Sequence, residues 1–308
     1  MGWEKLKLVL VGVLVLANAV MFALVRSYYL ETEYIPEETL TEMMELLSRD
    51  GIAVAESTVD TKKHRLVICE GSRGDTYIED TASALSQSGK ELSFNTPDGY
   101  VLTMKNGDRF AFSSGFGIRY LSGNAPESYT WNGESPSLRE TGTLESAAAQ
   151  KAVVQFLERA LPEERDVPSE LRAEFVSIGT DSESGVVYCS CVQTANDAQI
   201  GNCSAVFAVF DGCVIEMNGA WCFSQIDATY SAQLIDQINI LYSVKNKVLE
   251  ERTENSAAVT EIRSLTLGYA AYFEAETDSF YLIPVWNASL SDGRKYTVNS
   301  LNGAFYTN

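Results

Sequence analysis

A single histidine, His64, stands among 308 residues. Any Ser-His-Asp or Cys-His mechanism would hang on that one imidazole, and no nucleophile elbow surrounds any serine or cysteine. The six cysteines contain no C-x-x-C spacing and His64 is distant from them, so a zinc site is disfavoured. Gly115-Phe116-Gly117 lacks the strand-to-helix setting of a phosphate loop. Carboxylate pairs abound, but nothing marks one of them as a glycosidase-like acid and base. No catalytic constellation, cofactor or metal is therefore expected. Basic residues are also scarce: 23 Lys and Arg face 42 Asp and Glu, for a net charge of -19. Nucleic-acid phosphates would be repelled by such a chain, and so would anionic lipids or wall polymers. The acidity reads either as solubility or as the complement of a basic partner surface.

One long apolar run is present. Residues 6–25, LKLVLVGVLVLANAVMFALV, interrupt their apolar character only at Lys7 and Asn18. At about 1.5 Å per residue, about 20 residues span a hydrocarbon core of roughly 30 Å. Lys5 and Lys7 lie at its N-terminal side, while Arg26 and then Glu31, Glu33, Glu37 and Glu38 follow it. The basic bias predicts a cytoplasmic N-terminus and an exterior remainder, a single-pass cell-membrane protein. The rival is a cleaved signal peptide, with Ala17-Asn18-Ala19 as the cleavage site. Continuation of the apolar run through Val20–Val25 favours a retained anchor. Gly12, Ala19 and Ala23 fall on one stripe, with Asn18 beside them. Small residues admit a second helix at close range and the amide can bond across, so these four are the candidate partner-helix contacts. A plain anchor with a tolerated asparagine is the alternative.

Beyond the run, Pro36 opens a helix whose apolar positions are Leu40, Met43, Met44 and Leu47, and which stops near Asp50-Gly51. A strand over 65–70 and a helix over 75–86 follow. Asn106-Gly107 turns a hairpin of strands 100–105 and 109–112. Residues 115–139, rich in Gly, Pro, Ser and Asn, read as a linker with a small hairpin at Asn132-Gly133. Helices over 144–161 and 231–250 each precede runs of strands. The first set is 174–178, 186–192, 204–210 and 213–217. The second is 262–273, 280–290, 295–298 and 304–306. Asp211-Gly212, Asp292-Gly293 and Asn302-Gly303 supply turns. The predicted fold class is α+β: an N-terminal transmembrane helix followed by repeated helix-plus-antiparallel-meander units. The expected divisions are 1–28 (cytoplasmic stub and anchor), 29–138, 139–228 and 229–308.

Cys69, Cys189, Cys191, Cys203, Cys213 and Cys222 admit several pairings, such as Cys191 with Cys203 or Cys213 with Cys222, and buried free thiols fit equally well. Cys189 and Cys191 share a strand face and do not pair with each other. Arg73-Gly74-Asp75 is an integrin-type tripeptide in letters only. Asn202 and Asn287 open N-x-S triplets, which matter only in a glycosylating host.

The two ends carry a resemblance. Met1-Gly2-Trp3-Glu4-Lys5-Leu6-Lys7 running into an apolar helix with Asn18 resembles the start of the YycH/YycI family of two-component regulatory proteins. Pro284-Val285-Trp286, Asp292-Gly293, Tyr296, Val298-Asn299 and Leu301-Asn302-Gly303 resemble the closing meander of YycI and of related PepSY-like modules. The similarity covers about a quarter of the chain, and the cysteine cluster departs from the family pattern. It implies a non-enzymatic regulator that binds a WalK-type sensor histidine kinase and a second single-pass regulatory protein through membrane helices, and so tunes cell-wall homeostasis. No catalytic residues carry over. The alternative is a PepSY-like binding or inhibitory module acting on a peptidase or cell-wall enzyme, and an enzyme acting on the wall comes third.

Overall fold

The computed structural model describes residues 18, 20–22, 34–54, 58–59, 66–72, 76–97, 99–113, 115–126, 129, 138–160, 171–224, 226–231, 234–252, 259–274 and 279–306. They form two compact units. The smaller comprises Met1–Arg65, Gln233–Thr266 and Trp286–Asn308, and the larger Leu66–Ala232 and Leu267–Val285.

In chain order, α1 (Glu37–Arg49) and β1 (Ile52–Val54) belong to the smaller unit. The larger unit then builds β2 (Val67–Ser72), α2 (Tyr77–Ser86), β3 (Lys90–Thr96), β4 (Gly99–Met104), β5 (Arg109–Ser113), β6 (Gly117–Leu121) and β7 (Leu138–Glu140). It continues with α3 (Thr143–Glu158), β8 (Leu171–Asp181), β9 (Val187–Ala195), β10 (Ala198–Phe210), β11 (Cys213–Ala220) and β12 (Asp227–Ser231). The chain next forms α4 (Gln237–Glu251) in the smaller unit. Strands β13 (Thr260–Glu274) and β14 (Ser279–Leu290) contribute one half to each unit, and β15 (Lys295–Asn299) and β16 (Phe305–Tyr306) close the smaller one.

The predicted fold class is not what forms. Repeated units with separate meanders are replaced by one mixed sheet linking sixteen strands of the described residues. Its main path runs β12-β2-β14-β13-β10-β11-β6-β5-β4-β3. Pairing is parallel between β1 and β13 and between β10 and β13, and antiparallel along β8-β9-β10-β11-β6-β5-β4-β3. The physical reason is non-local. Residues far apart in sequence complete each other's edges, as when Cys69 pairs with Leu282 and Ile52 with Thr260. Hydropathy within a segment does not encode such pairings. A single-pass membrane location is withdrawn as well: among the described residues, no helix is long and apolar enough to cross a membrane. Most of the run 6–25 lies outside the described residues; Asn18 and residues 20–22 are described, and they are helical.

The helices form where the apolar spacing is helical. On α3 the buried residues are Ala149, Ala152, Val153, Phe156 and Leu157, a three- and four-residue rhythm that defines one face. That face lies on the sheet in a core shared with Ala82 and Leu85 of α2, Leu102, Phe110, Tyr120, Phe207 and Met217. Burying Val153, Phe156 and Leu157 contributes about 1.5–3 kcal/mol each. In the smaller unit α4 repeats the rhythm with Ile240, Leu241, Val244 and Val248, and the Asp236 carboxylate caps it by accepting the Asn239 N–H at 2.9 Å.

Two turns bend β9 into β10 and β10 into β11. Asp211 and Gly212 have φ of 48° and 72°, and Asn196 and Asp197 have 50° and 60°. Positive φ at both central residues matches the right-handed twist of the flanking strands. The Asn196-Asp197 turn between β9 and β10 contains no glycine, and β10 begins at Ala198, six residues before the expected Ser204.

Candidate interaction surface

Gly12, Ala19 and Ala23 lie outside the described residues, as do His64, Arg73-Gly74-Asp75 and Asn132-Gly133. Asn18 is exposed. Of the expected helix-contact stripe, Asn18 alone is therefore among the described residues. No disulfide joins the six cysteines; five are buried and Cys213 is exposed. Burial pushes the Cys189 thiol up to about 11 and the Cys191 thiol to about 12, the latter helped by its neighbour Cys189. Such thiols are inert as nucleophiles. Among the described residues no group of three His, Cys, Asp or Glu side chains could hold a metal ion.

The residues that carry the C-terminal resemblance build the meander. Trp286 is buried and its Nε1 donates to the Ile235 carbonyl at 3.2 Å. The Asp292 carboxylate accepts both the Arg294 N–H and its guanidinium, while Gly293 takes φ 90° in the turn. The Tyr296 hydroxyl donates to Glu251. Asn299 accepts the Leu301 N–H at 2.8 Å, and Asn302 accepts that of Ala304 at 3.0 Å. These side chains are spent on turns and on seating α4. Asn202 is similarly occupied: its amide exchanges two hydrogen bonds with the backbone of Ala271, at 2.7 and 2.8 Å, and extends the contact of β10 with β13.

In the larger unit one carboxylate is fully buried on the sheet face opposite the main core. At the β10–β11 pairing Ala208 faces Glu216 and Val209 faces Val214, so Ile215 is an extra residue, a β-bulge. The bulge lets Ile215 and Glu216 turn to the same side, where Ile215 packs with Val186 and Ala208 beneath Ala125, Tyr129 and Tyr188. The Arg119 guanidinium donates to Glu216 Oε1 at 3.1 Å and the Tyr129 hydroxyl to Oε2 at 2.9 Å. Burial raises the Glu216 carboxyl, and Tyr129 and Arg119 oppose that rise. Burial and the Glu216 charge together raise the Tyr129 hydroxyl. A second buried carboxylate, Asp108, accepts Asn106 Nδ2, the hydroxyls of Tyr120 and Ser122, and the Gly123 N–H. Both centres have every carboxylate oxygen bonded internally. They pin loops to strands and aim no unsatisfied group at solvent.

One surface with open valence is β3. It ends the main path of the sheet and, among the described residues, pairs with β4 alone. Directly opposite residues share a face, so Ser93, opposite the core residue Leu102, points to the core side. Leu92 and Phe94, opposite Thr103 and Val101, point to the other side and are 57% and 48% exposed. Natural edges are usually blunted by charge, proline or cover. Here two large apolar side chains flank a row of unpaired backbone groups. Lys90, at one end, is held by Glu79 at 2.5 Å, and that contact lowers the Glu79 carboxyl and raises the Lys90 amine. The strand was not among those expected from sequence. Its alternation of Leu92 and Phe94 with polar residues, followed by Pro97-Asp98-Gly99, was the available signal.

No protein-family model matches the chain, and no curated protein matches it. Among solved structures, an uncharacterized protein from Eubacterium rectale ATCC 33656 is similar over 83% of this chain and 90% of its own, with 11% sequence identity and a TM-score of 0.47.

Proposed function

We propose that this protein is a regulatory binding module whose partner adds a strand along the free edge of β3, and that the partner is a sensor histidine kinase. The observation that carries the binding reading is the β3 edge with its exposed Leu92 and Phe94. An added strand gains backbone hydrogen bonds from the edge, and side-chain pockets beside alternate residues supply specificity. The class of partner rests on the resemblance of the chain's two ends to YycH/YycI proteins. Membrane anchorage has no part in this reading. Regulation follows if the kinase state with an accessible strand binds better than the other, because a partner shifts an equilibrium only by differential affinity.

The test is titration of the purified chain into each sensor histidine kinase of the source organism, following binding and autophosphorylation. One kinase is expected to bind and to change its rate. The double variant Leu92→Asp, Phe94→Asp is expected to weaken that binding by at least about tenfold, or about 1.4 kcal/mol. Tyr272→Asp, at a different exposed aromatic residue on β13, is the control and is expected to bind as the parent does. Failure of every kinase to bind, or equal binding by the double variant, contradicts the proposal.

A further inference from the structure

The open backbone groups of β3 can be located from its pairing with β4. Lys90 stands opposite Met104 and Leu92 opposite Thr103, so Glu91 is an extra residue, a β-bulge. Antiparallel pairs alternate between residues that exchange both backbone bonds and residues that exchange none. The Lys105 N–H donates to the Gly89 carbonyl at 3.0 Å. Lys105 is therefore a bonded position, and by alternation so are Thr103, Val101 and Gly99. Their partners Leu92, Phe94 and Thr96 direct their backbone groups toward β4. Ser93 and Asn95 direct theirs outward, to the side where β3 pairs with no strand among the described residues.

The ladder that these two residues offer is bounded at both ends. The bulge at Glu91 interrupts it on one side, and Pro97, which has no N–H, ends it on the other. The open groups are thus symmetric about Phe94. A two-fold axis at Phe94 sets Ser93 of each copy opposite Asn95 of the other and closes four N–H···O bonds. The same axis makes the two Phe94 residues a non-bonded pair, with Cα atoms about 4.5 Å apart, where cross-strand side chains come closest. Leu92 then lies opposite Thr96 of the other copy, on the face where Leu92 and Phe94 are exposed. Bulge meets proline, so Glu91 faces no like charge across the axis.

We infer that β3 pairs with β3 of a second copy of this chain, antiparallel and centred on Phe94. An isologous contact of this kind closes on itself, so association stops at the dimer. An edge this short buries less than the about 1,200 Å² of a stable complex, so the dimer is weak and reversible. The inference rests on β3 as the docking edge proposed above and not on the partner being a kinase. It adds a regulation of that edge: a partner strand binds only by displacing the second copy.

Sedimentation equilibrium of the full chain, from about 10 μM to about 1 mM, tests the pairing. Salt at about 0.15 M screens the charge of -19 on each copy beyond ~8 Å. A monomer–dimer equilibrium is expected within that concentration range. Phe94→Asp should weaken it at least about tenfold. Asn95→Pro should do the same, since it keeps both apolar side chains and removes only an outward N–H, a change that edge strands tolerate. Tyr272→Asp, at an exposed position on β13, should associate as the parent does. In residue-resolved hydrogen exchange the amides of Ser93 and Asn95 should slow as the concentration rises. A parent chain that stays monomeric at about 1 mM overturns the inference, and so does a dimer in which those two amides are unchanged or which both β3 variants form equally well. Kinase binding through β3 by a strictly monomeric chain would overturn the self-pairing alone. Self-pairing without any kinase binding would overturn the kinase reading alone.

Discussion

A carboxylate without exposed surface is held at a cost of several kcal/mol unless its partners return that energy. Glu216 is such a group, met by Arg119 and Tyr129. Its folded-state carboxyl sits above its ordinary value of 4.5, so the fold binds that proton more tightly than the unfolded chain does. The contribution of Glu216 is therefore fully present below the unfolded value, and it is lost as pH rises through the folded one. Glu216→Gln removes the charge but keeps an oxygen for Arg119. Its stability at pH 7 is expected to lie within about 1 kcal/mol of the parent or above it, because a neutral amide is cheaper to bury. Urea midpoints of the two proteins from pH 4 to 8 isolate the effect. The advantage of the parent over the variant should shrink as pH rises, and growth with pH would contradict it. Nothing in the string Val214-Ile215-Glu216-Met217 discloses this burial. In a regular strand Glu216 would alternate away from Met217 toward solvent; the bulge at Ile215 and the cover of Tyr129 are set by distant parts of the chain.

Elements differ in how far their own residues determine them. The helices α3 and α4 were legible because a continuous apolar stripe recurs every three or four residues, and only a helix gathers such positions on one face. Hairpins turned by Asp211-Gly212 and Asn106-Gly107 were legible from their glycines, which take the positive φ the turns require. The strands β3 and β6 were not. At the edge, β3 has only one side to bury, and β6 lies in a Gly-, Ser- and Asn-rich stretch whose buried Ile118 and Tyr120 are too few to form a run. Contact between elements is likewise invisible to periodicity. Lys245 of α4 has a side chain only 10% exposed and reaches the Asp50 carboxylate, just past α1, at 2.9 Å. Arg252 bonds the carbonyls of Asp50 and Gly51, which secures the same junction. Asp50→Ala strands a largely buried ammonium and is expected to cost about 2–3 kcal/mol, below the full cost for a wholly buried pair because Asp50 is partly exposed. Lys245→Met replaces the charge with apolar volume and should cost under about 1 kcal/mol. Thermal unfolding of both variants checks the order, and an equal loss in the two would contradict it. Gly99→Ala probes a close approach within the β3–β4 hairpin and β5. With φ at 149°, an added Cβ would fall 1.8 Å from the Phe112 carbonyl oxygen, and a loss of about 2 kcal/mol or more is expected in the same measurement.

At the scale of the molecule, the expected repeated units gave way to one mixed sheet because the strands that join it come from opposite ends of the chain. Local patterns specify that a segment is a strand and which of its faces is apolar; they leave its edges unassigned. The resemblance at the C-terminus marks the same boundary, since its residues fix turns and the seat of Trp286 and do not include β3, the proposed binding edge. The cysteines give a direct reading of the assembled fold. One thiol, Cys213, should react with a thiol reagent in the native protein, and all six after denaturation. Fewer than six in denaturant would mean a disulfide that the structure lacks. The binding edge is tested most directly by hydrogen exchange on the chain with and without its kinase partner. Amides of Lys90–Thr96 are expected to slow markedly in the complex, while those of β16 keep their rates. Protection elsewhere with β3 unchanged would show that the partner binds another surface, and the account of β3 as the docking strand would be wrong.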